Sequence, residues 1–230
     1  MSFKRQLLPP FFSYGEFLTS DMASIGIRVA KNLPKEEANI ENTLISASIE
    51  GMKGDYRTLS LLVDWIGIHA ERINVDRLTQ IIKFFPDKKL KIFWTAIAQW
   101  QKSDWRFKKL AKLYRGDPLN LLEERGDFLI QKHGEDKRFL NSALRIPDQF
   151  LRHRPQDILT PEELSKRHGA YYYRILIGPT YRADMWALLE RYPKLSPSEL
   201  ARITYGSFPT AWKVKRDWIL LNQKKQEKAA

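Results

Sequence analysis

Four histidines, His69, His133, His153 and His168, are the natural metal-ligand candidates, and they are scattered with no His-x-x-x-His spacing and no acidic cluster at helical offset. Zinc-type ligation needs several donors brought close together, so neither a metal nor a cofactor is expected. The patterns that build phosphate cradles or a nucleophile elbow, Gly-x-x-x-x-Gly-Lys-Ser/Thr, Gly-x-Gly-x-x-Gly and Gly-x-Ser-x-Gly, do not occur. Asp117, Glu135 and Lys137 have a spacing compatible with nucleases in which two acids hold Mg²⁺ near a lysine. That chemistry normally sits on strands, whereas Asp117 reads as a helix cap and Glu135 follows Gly134 in a turn. A surface charge cluster is the better reading, and a non-enzymatic protein is expected.

The stretch SPSELARITYGSFPTAWKVKRDW, residues 196–218, carries a different chemistry. Ser196 and Glu199 form a capping box with Pro197 at the first helical position, so a helix starts here. Ala201 is small enough for a second helix to cross closely. Gly206 suits a turn that requires a conformation closed to other residues, and Ser207 can cap the helix that follows. That second helix places Ala211, Val214, Trp218 and Leu221 on one stripe, which predicts a buried face. Thr210, Lys213, Arg216 and Asp217 lie opposite, with Lys215 nearby. Arg and Lys pair with guanine edges, and Thr contacts a thymine methyl or a phosphate. Thr210, Lys213 and Arg216 are therefore the candidate base readers, and Ser207, Lys215, Lys224 and Lys225 the candidate phosphate contacts.

These residues resemble the helix-turn-helix families of bacterial and archaeal transcriptional regulators. The shared features are Leu200-Ala201, Gly206-Ser207 and Thr210-Ala211-Trp212-Lys213, preceded by Arg174–Gly178 and Arg182–Leu189, which are similar to the helices leading into the motif in winged-helix members. The resemblance covers Arg174–Leu221. It implies a DNA-binding protein in transcriptional control that reads double-stranded DNA through a recognition helix over Ser207–Leu221. Two departures stand out: Tyr205 occupies the position where many members place the turn glycine, and LNQKKQEKAA is too short for a strand-turn-strand wing. A wing that is short or absent is expected.

The elements that must position this motif read as helix after helix. Tyr14–Leu33 and Glu36–Met52 are amphipathic and separated by Pro34; Tyr56–Ala70, Val75–Phe85 and the LKIFWTAIAQW segment follow. Trp65, Trp94, Trp100 and Trp105 each fall on an apolar stripe and are expected to pack. WRFKKLAKLY reads as a further helix after Ser103. Asp117-Pro118 reads as another helix start, running toward His133-Gly134. YYYRILIG is strand-like by composition and helical by its place. Thr180 starts a helix with Tyr181, Met185, Leu188, Leu189 and Tyr192 on its buried face. The pattern weakens from Gly134 to Pro161, which holds several prolines.

A predominantly all-α fold is expected: an N-terminal helical bundle or irregular α-solenoid over 1–134, a connector over 135–160, and a helix-turn-helix domain over 161–230. The formal net charge of +12 suggests a polyanionic partner. Half of it sits in residues 191–230, where nine Lys/Arg face three acids. The lack of cysteine fits a reducing cytoplasm, and no signal-peptide core or membrane-length apolar run is present. DNA readers often dimerise on two half-sites, which makes the N-terminal helices a candidate dimer or effector surface. The competing reading is a non-enzymatic protein-interaction adaptor, its hairpin a core cap and its basic tail a solvated face.

Overall fold

Short polar side chains open most of the long N-terminal helices. Asn39, Asp55, Asn74 and Asp87 accept hydrogen bonds from the backbone N–H groups of Asn42 (3.1 Å), Thr58 (3.0 Å), Arg77 (3.1 Å) and Lys89 (2.7 Å), satisfying donors that a helix start leaves orphaned. They begin α2 (Ile40–Met52), α3 (Tyr56–His69), α4 (Val75–Phe84) and α5 (Lys88–Trp100), which follow α1 (Gly15–Ser24). The computed structural model describes residues 5–29 and 36–227, with side chains as far as Asn222, and over these residues the fold is predominantly α-helical. The chain divides into two compact units, residues 11–160 and a second formed by the described parts of 1–10 and 161–230.

In the first unit, α2, α3, α4 and α5 bury Leu44, Ile45, Leu62, Trp65, Ile66, Leu78, Ile81, Phe93, Trp94 and Ile97 completely. Gly51 lets α3 approach α2, since a Cβ there would lie 2.9 Å from Leu59 Cβ. The buried indoles are satisfied: Trp65 Nε1 donates to Ile25 O (2.8 Å) and Trp94 Nε1 to Ser48 Oγ (3.0 Å), as buried Trp requires. Trp100 is half-buried, but Trp105 is 82% exposed and does not pack as expected.

Tertiary pairing overrides local signals at several points. α1 ends at Ser24 rather than running to Leu33, because Ile27 forms an antiparallel bridge with Ile158 and Leu159 N donates to Gly26 O (2.8 Å); Pro34 lies outside the described residues. WRFKKLAKLY forms two 3-10 turns, Trp105–Lys108 and Leu110–Lys112, instead of one α-helix. There the Arg106 guanidinium is drawn to Asp104 and to the carbonyls of Ala70 and Ile73 (both 3.1 Å). Asp117-Pro118 does not start a helix. It leads into β1 (Leu119–Asn120), parallel to β2 (Leu144–Arg145), with Leu119 opposite Leu144 and Asn120 opposite Arg145; α6 begins later and spans Glu124–His133.

Residues 135–160, expected as a connector, are part of the first unit. Phe139, Leu144, Ile146, Leu151 and Ile158 are buried, at irregular intervals that give no helical or strand period. Asp64 of α3 ties the segment down. Its buried carboxylate accepts from Arg138 Nη1 (3.2 Å), from His153 Nδ1 (2.8 Å) and from the backbone N–H of Arg154 (2.5 Å).

The second unit contains α7 (Pro161–Ser165), α8 (Gly169–Ile177), α9 (Tyr181–Arg191), α10 (Pro197–Ile203) and α11 (Phe208–Glu227). YYYRILIG is thus a helix, capped by His168, whose Nδ1 accepts from Tyr171 N (3.3 Å). α8 and α9 are locked by a bidentate pair in which Arg174 Nε and Nη2 donate to the two oxygens of Asp184 (2.9 and 3.0 Å). Both side chains are almost fully buried, the setting in which a planar guanidinium fork is most directional. Between α9 and α10 the described residues contain no strand, and the residues beyond α11 lie outside the described ones.

Candidate nucleic-acid interface

The hairpin α10–α11 is built as the residue types require at its first end. Ser196 Oγ accepts from Glu199 N (3.3 Å) while Glu199 Oε2 accepts from Ser196 N (2.9 Å), the reciprocal capping box. The Ser196 hydroxyl first, then its backbone N–H, holds the Glu199 carboxyl below the ordinary carboxylate range. Leu200 and Ala201 are buried with Met185 and Leu189 of α9 and Ala211 and Val214 of α11, forming one small apolar core.

The turn between the helices works differently from its expected form. Tyr205, not Gly206, holds the left-handed conformation, at φ +59. Glycine at 206 serves a close approach instead: a Cβ there would lie 2.3 Å from Met185 Cε, at the floor of the core. Tyr205 is held in place by its carbonyl, which accepts from Arg5 Nε (2.8 Å), and the Arg5 guanidinium lies 4.7 Å from the Tyr181 ring centroid. No local signal announces this contact, because two hundred residues separate Arg5 from Tyr205.

Ser207 caps α11 as its place suggests. Its Oγ accepts from Thr210 N (3.2 Å) and lies 2.8 Å from Thr210 Oγ1, so both hydroxyls are engaged within the helix start. On α11 the buried stripe is shorter than expected: Ala211 and Val214 are fully buried, Trp218 is half-buried, and Leu221 is 55% exposed. On α9 likewise, Met185 and Leu189 are buried while Tyr192 is largely exposed. The helix reaches past the core that α9 and α10 supply, so its distal apolar residues find no cover in their own unit.

The basic residues of α11 differ in their engagement. Lys213 is exposed and makes no hydrogen bond or ion pair among the described residues. Arg216 pairs with Asp217 (2.9 Å) and lies 5.5 Å from the Trp212 ring centroid; Asp217 also meets Arg182 (3.7 Å). Lys215 turns back on its own unit, donating to Pro193 O (2.5 Å) with its ammonium 5.2 Å from the Trp218 ring. The side chains of Lys224 and Lys225 lie outside the described residues. Trp212, part of the motif but not among the candidate contact residues, is 49% exposed beside the Arg216 guanidinium. Its register, one residue beyond buried Ala211, marks it as outward-facing at 100° per residue.

Beside this face, α8, α9 and α11 border an open apolar groove of about 620 Å³. Tyr173 stacks on Trp186 there, with ring centroids 6.2 Å apart. Burial first, then the Glu190 carboxylate, pushes the Tyr173 phenol well above its ordinary value.

Of the nuclease-like trio, Glu135 is half-buried and faces Arg145 (3.8 Å), and burial raises its pKa against that neighbour's effect. Asp117 and Lys137 are exposed. Among the described residues no group of three or more His, Cys, Asp or Glu is placed to hold a metal ion, and no helix is long and apolar enough to cross a membrane. No family model matches the chain, and neither the curated proteins nor the solved structures give a match.

Proposed function

We propose that the protein binds double-stranded DNA through α10–α11 and acts in transcriptional control. The observation that supports this most directly is the division of α11. Ala211 and Val214 are buried against α9 and α10, while Trp212, Lys213 and Arg216 face outward beyond a Ser-capped start. A helix held on one side and basic near its N-terminal half on the other matches what major-groove reading needs. Lys213 is the leading base-contact residue, Arg216 can exchange Asp217 for a guanine edge, and Thr210 offers a methyl to thymine. Ser207 and Lys215 would contact phosphate only by giving up internal partners. A homodimer on two half-sites is the corresponding assembly.

Selection of bound duplexes from a random pool tests the reading. Lys213→Ala should then cost about 1–3 kcal/mol at one base pair of the selected site. Uniform weakening on all sequences would assign Lys213 to phosphate, and no duplex binding at about 50 mM salt would remove DNA reading altogether.

A protein-interaction adaptor is favoured by a separate observation. Tyr172, Ile175, Leu176 and Ile177 of α8 are all exposed, as are Leu220 and Leu221 of α11. Apolar residues so concentrated commonly mark a contact surface. Binding to a polypeptide that persists at high salt, with no duplex affinity at low salt, would select this reading.

A further inference from the structure

The first unit carries a basic feature remote in sequence from the hairpin. Two adjoining depressions share Arg152 and Arg154. One, about 550 Å³, is walled by Tyr56, Leu61 and Phe150, with Arg57 and Ser60 at its side. The other, about 670 Å³, is lined mostly by residues with charged or polar ends, Lys137, Arg138 and His153 among them. The Tyr56 and Phe150 rings meet edge to face, with centroids 4.9 Å apart.

Arg138 and His153 are bound to carboxylates, but the other cations here are not closely paired. Arg57, Lys137 and Arg152 are exposed and make no hydrogen bond or ion pair among the described residues, and Arg154 has only a long contact to Asp157, at 3.9 Å. Two acids also border the second depression. Asp136 is bound by Arg138 (2.6 Å), which leaves Asp148 as the bordering acid without such a partner among the described residues. Beneath them, the buried Asp64 carboxylate holds His153, Arg138 and the Arg154 backbone, so the Arg152–Arg154 run is fixed before any ligand arrives. Preorganised cations lose less freedom on binding an anion than mobile ones.

We propose that the paired depressions bind a nucleoside phosphate unit, the base against Tyr56 and Phe150 and the phosphates against Arg57, Arg152, Arg154 and Lys137. An aromatic wall next to unpaired guanidiniums is the combination that recognises unstacked bases together with their phosphates. A base paired within a duplex offers no free face to such a wall. The ligand is therefore a free nucleotide or an unpaired strand, and the site does not depend on duplex reading by α10–α11.

The test uses the full chain at about 50 mM salt with three probes: AMP, inorganic phosphate and a fluorescent oligothymidylate. Arg57→Ala/Arg152→Ala removes two exposed side chains without internal partners, and an unchanged thermal melt verifies its fold. Binding of AMP or of the oligothymidylate should weaken by about tenfold or more in this variant and stay unchanged in Lys102→Ala, which alters an exposed lysine outside both proposed sites. Displacement of the oligothymidylate by AMP identifies a mononucleotide site; strand binding that AMP does not displace identifies an unpaired strand. The proposal is overturned if neither probe binds, if the double variant binds as the wild type does, or if inorganic phosphate competes as well as AMP.

Discussion

His69 should make the first unit sensitive to acid in a way that one substitution removes. The imidazole, at the end of α3, is fully buried, its ring 4.7 Å from that of Trp65. Nε2 donates to Leu159 O at 3.0 Å, since a carbonyl can only accept. Burial pushes the His69 pKa down to about 4, and the bond to Leu159 offsets only part of that effect. In the unfolded chain the ring returns to an ordinary value near 6.5. Because the folded value is the lower one, the unfolded chain takes up the proton first. Stability from this group is complete above about pH 6.5, is lost as pH falls, and levels off below about pH 4. The loss amounts to about 3 kcal/mol over the whole window, and most of it is reached by about pH 4.5. With urea slopes of roughly 1–3 kcal/mol per molar, the unfolding midpoint should drop by roughly 1–2 M between about pH 7 and pH 4.5. His69→Gln keeps an N–H donor for Leu159 but cannot titrate. Asp21 and Glu135, whose values burial raises, act in the opposite direction, but both proteins share them, so the difference between the two urea curves isolates His69. Parallel decline of wild type and His69→Gln over this range would refute the argument.

Two further outcomes concern the second unit. Arg174→Ala should destabilise it by roughly 3–5 kcal/mol by stranding the Asp184 carboxylate in the core, whereas Arg174→Met with Asp184→Leu should come close to wild type; thermal melts of the three proteins compare them. At the hairpin turn, Tyr205→Val should be less stable than Tyr205→Gly by about 1–2 kcal/mol, because a β-branched residue resists positive φ and glycine does not. Equal unfolding free energies for the Val and Gly variants would show that backbone conformation is not what constrains this position.

The parts of the fold legible in the sequence are those decided within one helical turn. Asn74, Ser196 with Glu199, and Ser207 cap helices where their types and spacing say they should, and Ala201 is buried at the crossing. The parts that were not legible are decided by partners far along the chain. Asp117-Pro118 is a sound cap by type, but Leu119 N is taken by Ala143 O (2.9 Å), so the chain extends instead of coiling. The prolines of 135–160 read locally as a connector, although Asp64 binds Arg138 and His153 from 74 and 89 residues earlier. Glycine at 206 correctly marked a constrained turn, but its reason is Met185 rather than φ. The type of a residue shows that a position is constrained; only its neighbours show by what.

The same distinction changes how the charge is to be read. A count along the sequence assigns half of the +12 to residues 191–230 and draws attention to the hairpin. A cation attracts a polyanion, however, in proportion to what remains after its internal partners are satisfied. On α11, Lys215 is committed to Pro193 O and Trp218, and Arg216 is shared with Asp217, so Lys213 is the described lysine or arginine of that helix with no such partner. In the first unit Arg57, Lys137 and Arg152 are all without one among the described residues, and Arg152 lies two residues before the Arg154 N–H that a buried carboxylate holds. Anion affinity should therefore follow these uncommitted side chains rather than local charge density. Removing Arg57 and Arg152 should then lower the salt sensitivity of single-strand binding more than removing Lys215 and Arg216 does, although each pair carries the same formal charge.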